Sequence, residues 1–183
     1  MAQTAVLDAC VLVPISLCDT LLVVAEEGLY RPLWSETILA ETRKALIEQL
    51  GVPESKTDAR LNHMRDAFPQ AVVTGYDDIV EQMANHPKDR HVLAAAVKSQ
   101  ASVIVTDNLS DFPATALSPH NVAAVSPDTF LLSLLLADQE AVCSAVERKR
   151  AAYQRPPRTI GELCAILSRS VPRFADRLLE TAI

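Results

Sequence analysis

Asp8 follows the apolar run Thr4-Ala5-Val6-Leu7 and precedes a second one, Ala9-Cys10-Val11-Leu12-Val13, with no basic neighbour. A carboxylate behind a buried strand is costly to desolvate unless something positive compensates it. Further acids are spaced so that a fold could bring them to Asp8. Glu41 lies on an expected helix, Asp89 lies at the start of another, and Asp107 and Asp111 follow the β-branched run Ser102-Val103-Ile104-Val105. Two anions about 5 Å apart repel by roughly 3 kcal/mol at an effective dielectric near 20. Convergence of such groups therefore calls for a cation or for shared protons.

Oxygen-only ligands suit a hard cation, Mg²⁺ or Mn²⁺, rather than zinc. His63, His86, His91 and His120 lack paired ligand spacing, and each is expected to be a surface or loop residue. A carboxylate-held divalent ion can activate water and neutralise a leaving oxyanion, which is nuclease chemistry.

The elements that must position these acids are legible from periodicity and punctuation. Val6-Leu7 ends a strand. Pro14 opens a helix that runs to about Glu27, with Gly28 as its stop. Ser35 can cap a helix from Glu36 to Leu50, which carries Glu41 beside an apolar stripe that includes Ile38, Ala45 and Leu46. Asp58 to Ala67 reads as a helix, Ala71 to Val73 as a strand and Asp78 to Met83 as a short helix. Pro87 opens an Ala- and Val-rich helix, Lys88 to Gln100. Thr106-Asp107-Asn108 marks a turn after the Ser102–Val105 strand, and Val122 to Val125 is a last strand. Ser126-Pro127-Asp128 starts a helix through Leu136. Pro156-Pro157 breaks the following helix, and two more helices are expected near Thr159–Ser168 and after Pro172. Strands alternating with helices argue for a parallel α/β sheet, and the carboxyl ends of such strands are where ligands bind.

Bulk properties agree with one domain carrying a small appendage. The chain has 183 residues, 49% hydrophobic and only 4% aromatic, so its core is built from Ala, Val and Leu. Asp8 and Asp19 interrupt the apolar N-terminus, which also lacks a basic leader, so it does not read as a signal peptide. No run approaches the length of a membrane span. Cys10, Cys18, Cys143 and Cys164 form no CxxC pair and read as buried free thiols of a cytoplasmic protein. Net charge is −6, yet residues 148–183 alone carry +5 and residues 1–147 carry −11. A basic tail of this kind can meet a polyanion. The plainer reading of the tail is a pair of amphipathic helices packing through Ile160, Leu163, Ile166, Leu167 and Leu178.

Four segments together resemble a known family: Val6-Leu7-Asp8-Ala9-Cys10-Val11-Leu12, Ser35 to Glu41, Pro87-Lys88-Asp89-Arg90-His91 through Ala96, and Ile104-Val105-Thr106-Asp107-Asn108-Leu109-Ser110-Asp111-Phe112-Pro113. Their order and spacing are similar to PIN domains, nearest in flavour to the VapC-type toxin ribonucleases. The resemblance spans about residues 4–136. It implies a Rossmann-like three-layer α/β/α sandwich, here as residues 1–137 with a C-terminal helical extension, 138–183, of a kind found on some longer VapC-like proteins. It also implies a Mg²⁺- or Mn²⁺-dependent endoribonuclease, a homodimer and an antitoxin partner.

Carried over by position, Asp8, Glu41 and Asp89 match the family's most characteristic acids, and Thr106 matches its hydroxyl. In many members the fourth acid lies two residues after the Thr. That position is Asn108 here, and Asp107 and Asp111 flank it. The expected catalytic set is Asp8, Glu41, Asp89 and Asp107, with Asp8, Asp89, Asp107 and Asp111 as metal ligands. Thr106, Asn108, Arg155 and Arg158 are expected on the RNA, and Arg155, Arg158, Arg169 and Arg173 are expected to help hold its phosphates or to cover the active-site groove.

Other classes fit poorly. A haloacid-dehalogenase-type phosphatase requires a second Asp where Cys10 stands, and the four isolated glycines form neither a P-loop nor GxGxxG. The alternative from another class is a PIN-like scaffold that binds RNA or a partner without cutting, which Asn108 leaves open.

Overall fold

The computed structural model describes residues 3–152 and 158–181. Two compact units interleave along the chain. One holds residues 3–13 and 31–125, and the other holds residues 14–30 with the segment from 126 onward.

The first unit is built on a five-stranded parallel sheet in the order β3-β2-β1-β4-β5. The strands are β1 (Gln3–Leu7), β2 (Tyr30–Ser35), β3 (Val72–Val73), β4 (Val103–Val105) and β5 (Ala123–Val125). Ala5, Val6 and Leu7 are wholly buried, as are Ile104 and Val105. A central parallel strand is covered on both faces, so it reads as a continuous apolar run rather than an alternation. Ala5 pairs with Val103, Val6 with Ile104 and Leu7 with Val105.

The helices of this unit follow local signals. α1 (Ala9–Leu12) is capped by Asp8 itself. α3 (Glu36–Lys44) is capped by Ser35, whose Oγ accepts from the Ile38 N–H at 3.2 Å, and it passes into a π-helical turn over Ala45–Gln49. α4 (Glu54–Ala67) follows. Lys44 pairs loosely with Glu48 at 4.0 Å, while Arg43 binds Asp58 at 2.7 Å. Pro87–Asp89 forms a 3₁₀ turn that leads into α5 (Arg90–Lys98), where Val92 through Ala96 are buried without exception. Asp77–Gln82 and Leu109–Asp111 are also 3₁₀ turns, and α6 (Ala114–Leu117) precedes β5.

β2 is absent from the sequence-based expectations because Pro32 argues against a strand inside a sheet. β2 pairs with β3 from Trp34 onward, so Pro32 lies ahead of that ladder and removes no hydrogen bond from it.

The second unit is helical. α2 (Ile15–Glu26) ends where expected, with the Gly28 N–H donating to the Ala25 carbonyl and Gly28 at φ +76°, a conformation open mainly to glycine. α7 (Pro127–Ala137), α8 (Gln139–Ala152), α9 (Ile160–Leu167) and α10 (Pro172–Thr181) complete it. α9 opens with a full capping box between Thr159 and Glu162. Lys149 is buried, and its Nζ donates to the Ser16 carbonyl at 2.8 Å and the Thr20 hydroxyl at 3.1 Å, with Asp19 at 3.8 Å. The expected break at Pro156-Pro157 lies outside the described residues.

Candidate active site

The strand order reverses direction of growth at β1 and β4: β2 and β3 lie on one side of the pair, and β5 lies on the other. Such a switch point leaves a crevice at the carboxyl ends of its two strands. Asp8 and Thr106 are the first residues beyond those ends, and the Asp8 N–H still donates to the Val105 carbonyl at 3.1 Å.

Asp8 is buried, and its side chain is fixed by three donors. Oδ1 accepts from the Ala9 N–H at 2.7 Å. Oδ2 accepts from the Thr106 hydroxyl at 2.7 Å and from the Cys10 thiol at 3.3 Å. Thr106 is itself fully buried, and its oxygen accepts from the Asn108 N–H at 3.0 Å. The Asp107 N–H donates to Cys10 Sγ at 3.3 Å. The two strand-end loops are therefore tied by a short network, and Thr106 orients the carboxylate. Burial, and then the charge of Asp8, push the Cys10 thiol up to about 12. It stays protonated and serves as a donor here, not as a nucleophile.

Asp89 senses the rest of the cluster. Burial, then repulsion from Asp8 and Asp111 and, more weakly, from Glu41, push its carboxyl up to about 6, with His91 pulling the other way. Burial and Asp8 also raise the Asp107 carboxyl above the ordinary aspartate range. All five expected acids thus belong to one electrostatic neighbourhood in the first unit. Ligand atoms of Asp89, Asp111 and His86 lie within 4.8 Å of one another, and the His86 N–H donates to the Asp111 carbonyl at 3.1 Å.

Two histidines are closer to the site than their spacing suggested. His91 is not a surface or loop residue: it lies in the first turn of α5 with its side chain 12% exposed, and its Nε2 is 3.1 Å from Glu41 Oε1. Burial works to lower the His91 pKa, but the Glu41 hydrogen bond and the charges of Glu41, Asp8 and Asp89 outweigh it and raise the value. His86 is exposed as expected, yet it flanks Asp89 with its Nδ1 3.7 Å from the carboxylate. The available signal was local. Both histidines lie within three residues of Asp89.

The donor set suits a divalent cation. It comprises carboxylate oxygens in excess of the neutralising bases, one carboxyl raised by burial and by its like-charged neighbours, with an imidazole at the margin. Arg158 belongs to the second unit, where its carbonyl accepts from Arg150 at 2.8 Å. Arg155 lies outside the described residues.

Comparison with known proteins places these observations in a family. Residues 4–110 match the PIN domain, and residues 127–180 match the VapC50 C-terminal domain. The chain is similar to a protein of Mycobacterium tuberculosis (strain H37Rv) named "Putative ribonuclease VapC50". The two are 47% identical over 136 residues, covering 74% of this chain and 78% of that protein. No solved structure matches the chain significantly.

Proposed function

This chain belongs to the PIN-domain family, and from that premise we propose that it is a Mg²⁺- or Mn²⁺-dependent endoribonuclease, the toxin of a type II toxin–antitoxin pair. The observation that carries this reading is the convergence of Asp89 with Asp111 and His86, whose ligand atoms lie within 4.8 Å of one another, where burial and the charges of Asp8, Asp111 and Glu41 raise the Asp89 carboxyl. Such a cluster is relieved by a divalent ion.

Asp8, Asp89, Asp107 and Asp111 would hold the metal. When bound, a divalent ion supplies Lewis acidity, lowering the pKa of a water and offsetting charge on the phosphate. Thr106 holds Asp8 in one orientation through its 2.7 Å hydrogen bond, so the ligand is set before substrate arrives. Glu41, braced by His91, positions the attacking water and takes its proton. The water oxygen bonds to phosphorus as the bond to the leaving ribose oxygen breaks, in line. Asn108, whose backbone N–H is tied to Thr106, faces the substrate in this scheme, with Arg155 and Arg158 on RNA phosphates.

The partners in this reading are an RNA substrate, a second copy of the chain in a homodimer and an antitoxin. An antitoxin arginine could block the site, because a carboxylate cluster is a receptor for a guanidinium fork. The setting is the cytoplasm. No single helix among the described residues is long and apolar enough to cross a membrane.

Asn108, at the position of the family's fourth acid, favours a second reading in which the scaffold binds RNA without cutting it. Titration of Mg²⁺ and Mn²⁺ in an RNA cleavage assay separates the two: metal-dependent cleavage is expected, and binding without cleavage at any metal concentration supports the second.

A further inference from the structure

A cavity of about 610 Å³ is lined by Ala9, Cys10, Val13, Glu41, Lys44, Ala45, Gln49 and Lys88. It adjoins the acids directly. Glu41 is one of them, and Cys10 donates its thiol hydrogen to Asp8 Oδ2 at 3.3 Å.

The cavity's chemistry is divided. Ala9, Val13 and Ala45 give it an apolar part. Lys44 and Lys88 supply two cations, each close in sequence to an acid of the site: Lys44 is one helical turn beyond Glu41, and Lys88 directly precedes Asp89. Among the described residues, Lys44 is engaged only by the 4.0 Å contact with Glu48, in which both side chains are largely exposed, and such pairs contribute little. Lys88 is exposed as well, so both ammonium groups are available to an incoming anion. Ala45 and Gln49 come from the π-helical turn that extends α3, a local irregularity of the kind often found at functional sites. Gln49 adds an amide able both to donate to and to accept from a base edge.

Resting on the nuclease reading above, the geometry points to this cavity as the seat of the nucleotide next to the scissile phosphate of a single-stranded RNA. Lys44 and Lys88 grip its flanking phosphates, and Gln49 faces its base. Ligand sites of a few hundred Å³ with an apolar floor and a few placed polar groups are the usual form of small-molecule pockets. Unstacked single-stranded bases are the form in which RNA is read through such pockets.

The test uses the full chain in an Asp8→Asn background, so that RNA is not consumed. The probe is a short fluorescein-labelled single-stranded RNA, followed by anisotropy over a range of salt in the presence of Mg²⁺. The Lys44→Gln/Lys88→Gln double variant is expected to bind at least about fivefold more weakly, with a salt slope shallower by about 0.7 for each phosphate no longer neutralised. Its thermal midpoint should match the parent's, because both side chains are exposed. The Lys44→Arg/Lys88→Arg variant should keep the affinity. Unchanged affinity and slope in the glutamine variant, or equal weakening in the arginine variant, would overturn the assignment. If the unmutated chain cuts RNA while the glutamine variant binds as the parent does, the cavity fails alone. If the unmutated chain neither binds nor cuts RNA, the nuclease reading fails and the cavity with it.

Discussion

At the scale of the residue, the site is a balance between desolvation and repulsion. Three donors satisfy the buried Asp8 carboxylate, and burial together with like-charged neighbours raises the Asp89 carboxyl. A raised carboxyl has a definite thermodynamic sign. With a folded-state value near 6 against 3.8 unfolded, the folded state binds the proton more tightly. Its contribution to stability is fully present below the unfolded value and is lost as pH rises through about 6. In the metal-free protein, Asp89→Asn should therefore raise the thermal midpoint at pH 7.5, and the gain should disappear below about pH 4. Cleavage by the unmutated protein at limiting metal should rise as pH passes through about 6, because the ligand must be deprotonated. Thermal melts across pH in EDTA and a pH–rate profile check both. A midpoint that Asp89→Asn leaves unchanged at neutral pH would contradict the cluster's electrostatics. The burial of Asp8 behind a strand was legible in the sequence from its apolar flanks. The contact between His91 and Glu41 was not, because two separate helices make it and neither carries a mark of the other.

At the scale of the element, the acids are delivered by strand ends and helix caps. β1 and β4 are legible as unbroken buried runs, and Ser35 as the cap of α3. The π-helical turn after Lys44 was not legible, since nothing in Ala45-Leu46-Ile47-Glu48-Gln49 distinguishes it from an ordinary helix. β2 was hidden by its proline. Because Ser35 sets where α3 begins, it also sets where Glu41 stands. Ser35→Ala should cost about 1 kcal/mol of stability in urea denaturation and lower cleavage by more than the loss of folded protein accounts for. An activity loss no larger than the unfolded fraction would show that the cap does not govern the site.

At the scale of the whole molecule, charge is divided along the chain, −11 over residues 1–147 and +5 over the remainder. The expected division at residues 137 and 138 is linear, whereas the compact units interleave, with residues 14–30 joining the C-terminal helices. No local signal in α2 shows that it belongs with helices more than a hundred residues later. If the tail contributes to RNA binding, replacing Arg155, Arg158, Arg169 and Arg173 by glutamine should flatten the salt dependence of affinity, by up to about 0.7 for each phosphate released. Equal affinity and equal slope would assign those arginines to packing and solvation alone. The central claim is most directly tested by one assay: cleavage of total RNA with Mg²⁺ or Mn²⁺ by the unmutated chain, by Asp8→Asn and by Asp89→Asn, each shown to be folded by circular dichroism. Cleavage that requires the metal and is absent from both variants is the predicted result. Cleavage that persists in both variants, or in excess EDTA, would contradict it.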